Sequence, residues 1–579
     1  MNHDTTERDG MRLWRDPVVW LVTAGLVTWS LYLAITVLSW RFQPGVAPKS
    51  YPILTTLGLF AGAFAAYVVG IWSALRIRAH RRLMLMIVIT SVLFRLPMLV
   101  SWPILEIDIY RYLWDGAVVT CGVSPYRYSP AQVLDAEPRA ELPTDLRVLV
   151  NLRDSDPALA VILGRIHFGE LPTIYPPVSQ AVFAWSAWTT PSGSSVFQRM
   201  VLMKVWLVLF DVGTLLIVLG LLRLAGRHPG WALAYGWCPL VIKEIANTGH
   251  LDAIAVFLTT LALFFAMQAV QSRYRHPIAR TVLAVLFWAL GFGAKLYPIV
   301  LAPLLFLVLL RHRGWRWATC AAVPGVLLAA ILIWPMLPDS AHGVERGQTA
   351  PPAGDVPPIP TDADGAAAAR PIAQDPSGGL KAFLRHWEMN DFLFMIVVEN
   401  LKPSNERMHA PAWFVVMPRT WRTRLVRRPA DRLSVSPPAL AFLFARGITL
   451  AVFVLLTLIL AWRAAATQDV EATLRAALLT LAWFWLLAPT QNPWYWTWVM
   501  PLVMFGRCRA WLAVSGMVLI YYLRFWLTNH YSSISFCDAT YSGQAFFDYV
   551  VVWLEFVPWF IWLTVECTWR TWRMARHVV

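Results

Sequence analysis

The chain is 579 residues long, 58% hydrophobic and only 14% charged, with a formal net charge of +15 and a mean hydropathy of +0.53. Soluble domains average about 25% charged and about 45–50% apolar residues, so these proportions exclude both a soluble multidomain enzyme and a disordered chain. The apolar residues come in blocks close to the length that crosses about 30 Å of hydrocarbon, which predicts an all-α polytopic membrane protein.

In chain order the blocks are 17–40, 52–75, 83–105, 198–222, 231–246, 251–270, 279–293, 296–310, 317–336, 439–462, 474–489, 494–506, 510–527 and 545–567, about fourteen crossings. They lack the period-two alternation of barrel strands. Helices follow, because lipid offers a backbone no partner but itself. The first block is too long for a signal-peptide core and no small-residue cleavage pattern follows it, so it reads as a retained anchor.

Arginine sets the expected orientation. Short connections carry Arg76, Arg78, Arg81 and Arg82, then Arg273, Arg275 and Arg280, then Arg311, Arg313 and Arg316, then Arg507 and Arg509. The tail adds Arg570, Arg573 and Arg576, whereas 247–250, 490–493 and 528–544 contain neither Arg nor Lys. Arg41 and Lys49 in 41–51 are a mild exception. Both termini are therefore expected in the cytoplasm, in a multi-pass protein of the cell membrane. Arginine placed this way fixes topology rather than binding nucleic acid, and the 32 Trp suit membrane interfaces.

The expected organisation is N-terminal membrane helices (1–105), an outer loop with interfacial helices (106–196), a membrane core (197–336), a second outer loop (337–438) and C-terminal membrane helices (439–579). Within the second loop, 337–380 is rich in Pro, Ala, Gly and Asp and lacks the apolar content to order itself. The six cysteines show no metal-ligand or redox spacing; Cys121 and Cys537 share the outer side, where a disulfide is conceivable. No Walker, Rossmann or zinc motif is present.

The first outer loop opens with Glu106-Ile107-Asp108-Ile109-Tyr110-Arg111-Tyr112-Leu113-Trp114-Asp115-Gly116. In a helix Asp108, Tyr112 and Asp115 share one face, while Tyr110 and Trp114 form a stripe suited to the interface. The acids are either a catalytic platform or a solvated face with Arg111 as a surface partner. Further on, Pro172-Thr173-Ile174-Tyr175-Pro176-Pro177 precedes an apolar stretch, 178–188, too short to cross and expected as an interfacial or re-entrant helix. Glu170 is a second acidic candidate.

Three outer turns carry the remaining polar groups. Asn247-Thr248-Gly249-His250-Leu251-Asp252 joins two spans; Asp252 is either a first-turn carboxylate favoured by the helix dipole or a functional group, and nothing in the turn requires His250. Gly293-Ala294-Lys295-Leu296-Tyr297-Pro298 sets a lone Lys at a helix end, where snorkelling is the ordinary explanation. Pro489-Thr490-Gln491-Asn492-Pro493-Trp494-Tyr495-Trp496 is uncharged but rich in aromatics. Asp211 lies within a span without an obvious partner; a structural hydrogen bond is the expected role.

Together these segments resemble the GT-C fold integral-membrane glycosyltransferases, most nearly the bacterial polyprenyl-phosphate-mannose-dependent mannosyltransferases. The resemblance is carried by 108–116, Ser124-Pro125-Tyr126-Arg127-Tyr128, Thr173-Ile174-Tyr175-Pro176-Pro177, Gly249-His250-Leu251-Asp252, Ala294-Lys295-Leu296-Tyr297-Pro298 and Asn492-Pro493-Trp494-Tyr495, in that order between about 82 and 527. It departs in the 337–380 insert, in two additional N-terminal spans, and in Asn492, where His is more usual.

The resemblance implies a GT-C-like bundle that transfers a hexose, mannose above all, from a polyprenyl-phosphate carrier to an acceptor hydroxyl of a glycan or glycolipid on the outer face. Asp108 matches the general base, and the sugar inverts. A polyprenyl phosphate leaves as a stable anion, so one carboxylate suffices where glycosidases use two. Glu106, Arg111, Tyr112, Asp115, Tyr175, His250, Asp252, Lys295, Tyr297, Trp494 and Tyr495 are the expected substrate-binding residues. Partners are the lipid-linked donor, the acceptor and membrane lipid, with no nucleic acid. A divalent metal is possible, with Glu106, Asp108 and His250 as available ligands. The rival reading is a transporter or flippase of lipid-linked sugars.

Overall fold

The computed structural model describes residues 16–137, 142–271, 274–337, 377–403, 412–467 and 469–576. Their helices include, in chain order, α1 (Pro17–Ser39), α2 (Ile53–Ala74), α3 (Arg81–Leu99), α4 (Ile109–Thr120), α5 (Pro177–Trp188), α6 (Val196–Leu224), α7 (Asp252–Val270), α8 (Pro277–Ala294), α9 (Trp315–Ile333), α10 (Leu393–Glu399), α11 (Arg419–Leu433), α12 (Pro437–Thr467), α13 (Val470–Leu487) and α14 (Val552–Arg576), with further helices of up to 12 residues and turns between them. The strands described are one hairpin, Ile534–Phe536 with Ala539–Tyr541. The protein is an all-α polytopic membrane protein.

Local chemistry starts these helices where expected. Asp16 accepts from Val18 N with Pro17 at the first helical position of α1, and Ser195 with Gln198 forms a reciprocal capping box before α6; each satisfies amides that a helix start leaves open.

Among the described residues, eleven helices are long and apolar enough to cross a membrane, against about fourteen expected from block lengths. The three blocks that do not qualify are broken into short pieces with prolines near their starts. Residues 229–247 fold as short helical pieces with Pro229 and Pro239 at their starts and end in a π-helix, Ile242–Asn247. Residues 493–505 are two consecutive 3-10 turns opened by Pro493 and Pro501. The 296–310 block begins as a 3-10 turn, Tyr297–Leu301, before a 12-residue helix. Proline lacks the N–H and clashes with the preceding turn. Such irregular backbone is tolerated at membrane depth only inside protein, and the 232–247 and 500–505 stretches are indeed buried.

Buried ion pairing also joins the spans. Arg95 on α3 bonds Asp211 on α6, both at 0% exposure. Tyr235 Oη donates to the other Asp211 oxygen at 2.7 Å, and Arg95 Nη1 donates to the carbonyls of Ser91 and Gly236 at 2.8 Å. Asp211 therefore has a full charge partner, which the apolar look of 83–105 concealed.

The two long loops pack together on one side of the bundle. Phe168 and Trp387 meet edge to face with centroids 4.5 Å apart. Met389 N donates to Pro489 O at 3.0 Å and Gln491 N to Met389 O at 2.9 Å, so the second loop is stitched to the 489–492 turn. Most of the 337–380 insert, from 338 to 376, lies outside the described residues. Its last three residues open an ordered helix, Gly378–His386, so the insert ends earlier than its composition indicated. Cys121 and Cys537 are both free and make no disulfide.

Candidate active site

The segment entering α4 is clamped before the helix begins. Asn247 accepts from Ile104 N at 3.0 Å and donates to Ser101 Oγ and Trp102 O at 2.6 and 2.7 Å. Leu105 then takes a positive φ of 64°, uncommon for a branched side chain. Glu106 and Asp108 follow, both half-buried.

Asp108 stands at the N-terminal boundary of α4 without capping it. Its hydrogen-bond contact is the Tyr175 hydroxyl, which donates to Oδ2 at 3.4 Å. The helix itself is buried, against the solvated-face reading. The side chains of Tyr110 and Trp114 are 1% and 2% exposed, so they pack inward instead of lying at the interface. Arg111, too, has no surface partner: its Nη2 donates to the carbonyls of Phe168 and Leu171 at 3.1 and 2.8 Å. Backbone oxygens at a loop corner satisfy this guanidinium, a pairing that residue spacing cannot reveal.

Helix α5 holds α4 from behind. At Gly116 an added Cβ would lie 2.3 Å from Phe183 O, so the two backbones touch there. Gln180 Nε2 donates to Asp115 Oδ2 at 3.0 Å and to Thr173 Oγ1 at 3.2 Å. Burial pushes the Asp115 carboxyl up, opposed by Arg111 and by these hydrogen bonds. Asp115 thus ties α4 to α5. Tyr112 is stacked on Phe183 and meets Tyr175 edge-on at 5.0 Å. The 178–188 stretch is a short helix, as expected, with Trp185 and Trp188 exposed. Glu170 points to solvent, apart from the site.

The outer turns converge on the same region. Asp252 occupies the first turn of α7 yet caps nothing. Its Oδ1 accepts from Lys295 Nζ at 2.7 Å and from the Trp498 indole, while Oδ2 is buried without a hydrogen-bond partner. Lys295 does not snorkel. Its ammonium lies 4.5 Å from the Tyr495 ring and 5.3 Å from that of Trp498, a cation–π arrangement. Trp498 stacks between Tyr297 and Tyr495 at 4.3 and 4.4 Å. The charges of Asp108 and Asp252 both act on Tyr112 and Tyr495, and that of Asp108 on Lys295. These contacts bring Asp108, Tyr112, Tyr175, Asp252, Lys295, Tyr297 and Tyr495 into one neighbourhood.

His250 belongs to a second, adjoining cluster. Its ring stacks on Trp494 at 4.3 Å. Nε2 lies 3.4 Å from Glu244 Oε2, out of line for a hydrogen bond, so both buried ring nitrogens are unbonded. Glu244 accepts from the Tyr522 hydroxyl at 2.7 Å and from Lys243 Nζ at 3.2 Å. Glu106 joins this cluster: its surroundings desolvate the carboxyl and push it well above the usual range, with Lys243 opposing and Asp108 and Glu244 adding.

The sequence reading missed Lys243, Glu244, Trp498 and Tyr522. An adjacent Lys–Glu pair inside an apolar block was the available signal, since ionisable groups at membrane depth are rarely idle. Nothing pointed to Trp498 beyond its place three residues after Tyr495. Among the described residues, no group of three or more His, Cys, Asp or Glu side chains is arranged to hold a metal ion. Glu106, Asp108 and His250 therefore do not make a built metal site.

The described residues thus form a multi-pass helical bundle with a polar site beneath packed loops. Residues 19–146 match the model of the MptA_B family, described as alpha-(1->6)-mannopyranosyltransferase, N-terminal domain. The match supports a bacterial mannosyltransferase of the GT-C type. It contains Glu106, Asp108 and Asp115, together with the first two spans, which the resemblance had set aside as additions. The turns at 247–252, 293–298 and 489–496 lie beyond it. Comparison with curated proteins and with solved structures found no match.

Proposed function

We propose that the protein transfers a mannosyl residue from a polyprenyl-phosphate carrier to an acceptor hydroxyl at the outer face of the cell membrane, with inversion at the anomeric carbon. Asp108 takes the acceptor proton. The observation that carries this reading is the contrast between Asp108 and its neighbours. Asp252 is held by Lys295 and Trp498, Asp115 by Gln180 and Glu244 by Lys243 and Tyr522. Asp108, half-buried, has among the described residues only the long contact from Tyr175. Glu106 beside it is pushed toward its neutral form. A carboxylate left with one long contact, where its neighbours are each held by close partners, suits a single-base displacement with a leaving group that needs no proton.

Lys295 and His250 are the donor-side groups. The Lys295 ammonium supplies positive charge where the departing phosphate gains negative charge, the oxyanion-type contribution to catalysis. His250, whose Nδ1 has no hydrogen-bond partner among the described residues, offers a hydrogen bond to the phosphate or the sugar. Tyr495, Tyr297 and Trp494 give flat apolar surfaces for the sugar ring. Arg111 and Asp115 act behind the site, holding α4, and do not touch substrate.

The test is direct. Purified protein is incubated with radiolabelled polyprenyl-phosphate mannose, glucose or arabinose and a lipid extract from its source. Label from the mannose donor alone, moved to a glycan or glycolipid in the opposite anomeric configuration, is the expected result. A carrier that moves such lipids across the membrane also uses discontinuous helices, as in 229–247 and 493–505. That reading requires the labelled lipid to change sides in vesicles without being consumed.

A further inference from the structure

The second long loop carries a helix that the chemistry above does not use. α11 reads Arg419-Thr-Trp-Arg-Thr-Arg-Leu-Val-Arg-Arg-Pro-Ala-Asp-Arg-Leu433, with six arginines and a single acid. Arginines this close to the end of a span count in the rule that places arginine on the cytoplasmic side, and these six precede α12 in a loop expected on the outer side, so this charge needs another explanation. Its inner side is settled: Val426 and Ala430 pack on Phe394 and Val398 of α10 and on Leu440 and Ala441 of α12. Arg422 Nη1 donates to Lys402 O at 2.6 Å and fixes the rotation.

What faces outward is mixed. Trp421, Leu425, Arg428 and Arg432 follow i, i+4, i+7, i+11 spacing, one stripe roughly opposite Val426 and Ala430. Trp421 is 62% and Leu425 45% exposed, and Arg424 and Arg427 lie exposed alongside. Among the described residues none of Arg424, Arg427, Arg428 and Arg432 is in an ion pair. Only the residues between Leu433 and Pro437 separate this helix from α12, a 31-residue membrane span about 46 Å long at 1.5 Å per residue. The connection holds α11 beside the N-terminal end of that span. Arginine interleaved with Trp and Leu at headgroup depth is the composition of an interfacial helix that binds anionic lipid.

We infer that the outward face of α11 docks on the phosphate headgroups of anionic lipids in the leaflet that borders the candidate site. Arg424, Arg427, Arg428 and Arg432 contact the phosphates, and Trp421 and Leu425 enter the headgroup–acyl boundary. The inference rests on the membrane fold and the geometry of α11, not on the transferase reading, so either can fail alone.

Hydrogen–deuterium exchange of residues 419–433 tests it on the full chain in nanodiscs of phosphatidylcholine alone or with phosphatidylglycerol. Phosphatidylglycerol slows exchange of this peptide by at least about fivefold, the effect of one arginine at an anionic surface. The protection disappears at about 0.5 M salt, where screening is short-ranged, and in the variant R424Q/R427Q/R428Q/R432Q with an unchanged unfolding midpoint. Equal exchange in the two nanodiscs overturns the inference. So does equal protection by inorganic phosphate over phosphatidylcholine alone, which assigns the face to a soluble anion.

Discussion

Lys295 Nζ lies 2.7 Å from Asp252 Oδ1, and the pair binds the end of α8 to the start of α7 beneath the rings of Tyr495 and Trp498. A lysine held this way is oriented by its partner and cannot swing to solvent. Lys295→Met therefore removes an aimed charge. Loss of one such electrostatic donor costs about 10²–10³ in kcat, and that is the expected fall, with a smaller change in KM. Steady-state transfer kinetics check it; wild-type kcat in Lys295→Met removes Lys295 from the chemistry.

Asp252→Asn keeps the shape and removes the charge that holds Lys295. If Asp252 acts through Lys295, the two substitutions are not additive: Asp252→Asn adds little once Lys295 is Met. A double-mutant cycle on kcat measures this coupling. Additive losses show two independent roles.

Arg95 and Asp211 form the buried pair that joins α3 to α6. Removing one partner strands the other charge in the bundle, which costs about 3–5 kcal/mol. Asp211→Ala is thus expected to lower the unfolding midpoint in detergent sharply, and the replacement of both residues by apolar ones to restore much of the loss. A single variant as stable as the wild type contradicts the pairing.

Burial raises the Glu106 carboxyl well above the ordinary glutamate value of 4.5. An acid whose folded-state pKa exceeds its unfolded value binds more protons folded than unfolded, so it subtracts stability as pH rises above 4.5 toward the raised value. Glu106→Gln removes that dependence. Across about pH 5 to pH 8 the variant gains stability relative to the wild type as pH rises, read from thermal midpoints in detergent. A constant difference across that range shows that Glu106 ionises as freely folded as unfolded.

At Gly116 the helix backbones of α4 and α5 meet, and an added Cβ has no room. Gly116→Ala costs about 1–3 kcal/mol by overpacking and shifts Asp108 with α4, so both stability and transfer fall. Gly58 on α2 has open space around its Cβ position, and Gly58→Ala serves as the neutral control. Equal behaviour of the two variants contradicts the close approach.

Much of this was legible in the sequence because lipid imposes a coarse code. Apolar blocks mark the spans, and the polar turns at 247–252, 293–298 and 489–496 stand out between them. Three blocks expected as continuous helices are broken where prolines fall, as at Pro239 and Pro501, because hydropathy does not register backbone continuity. Arg111 looked like a surface residue since its partners are backbone oxygens of Phe168 and Leu171. Asp211 looked unpaired because Arg95 sits in another apolar block. Trp498 and Tyr522 joined the site only through tertiary packing, which spacing along the chain does not encode.

The central claim is that Asp108 is the base. Asp108→Asn preserves size and the contact from Tyr175 while removing the proton acceptor. In a folded variant with unchanged donor binding, mannosyl transfer is predicted to fall by about 10²–10⁴-fold, the scale of a lost general base. Transfer at the wild-type rate by that same protein contradicts the account.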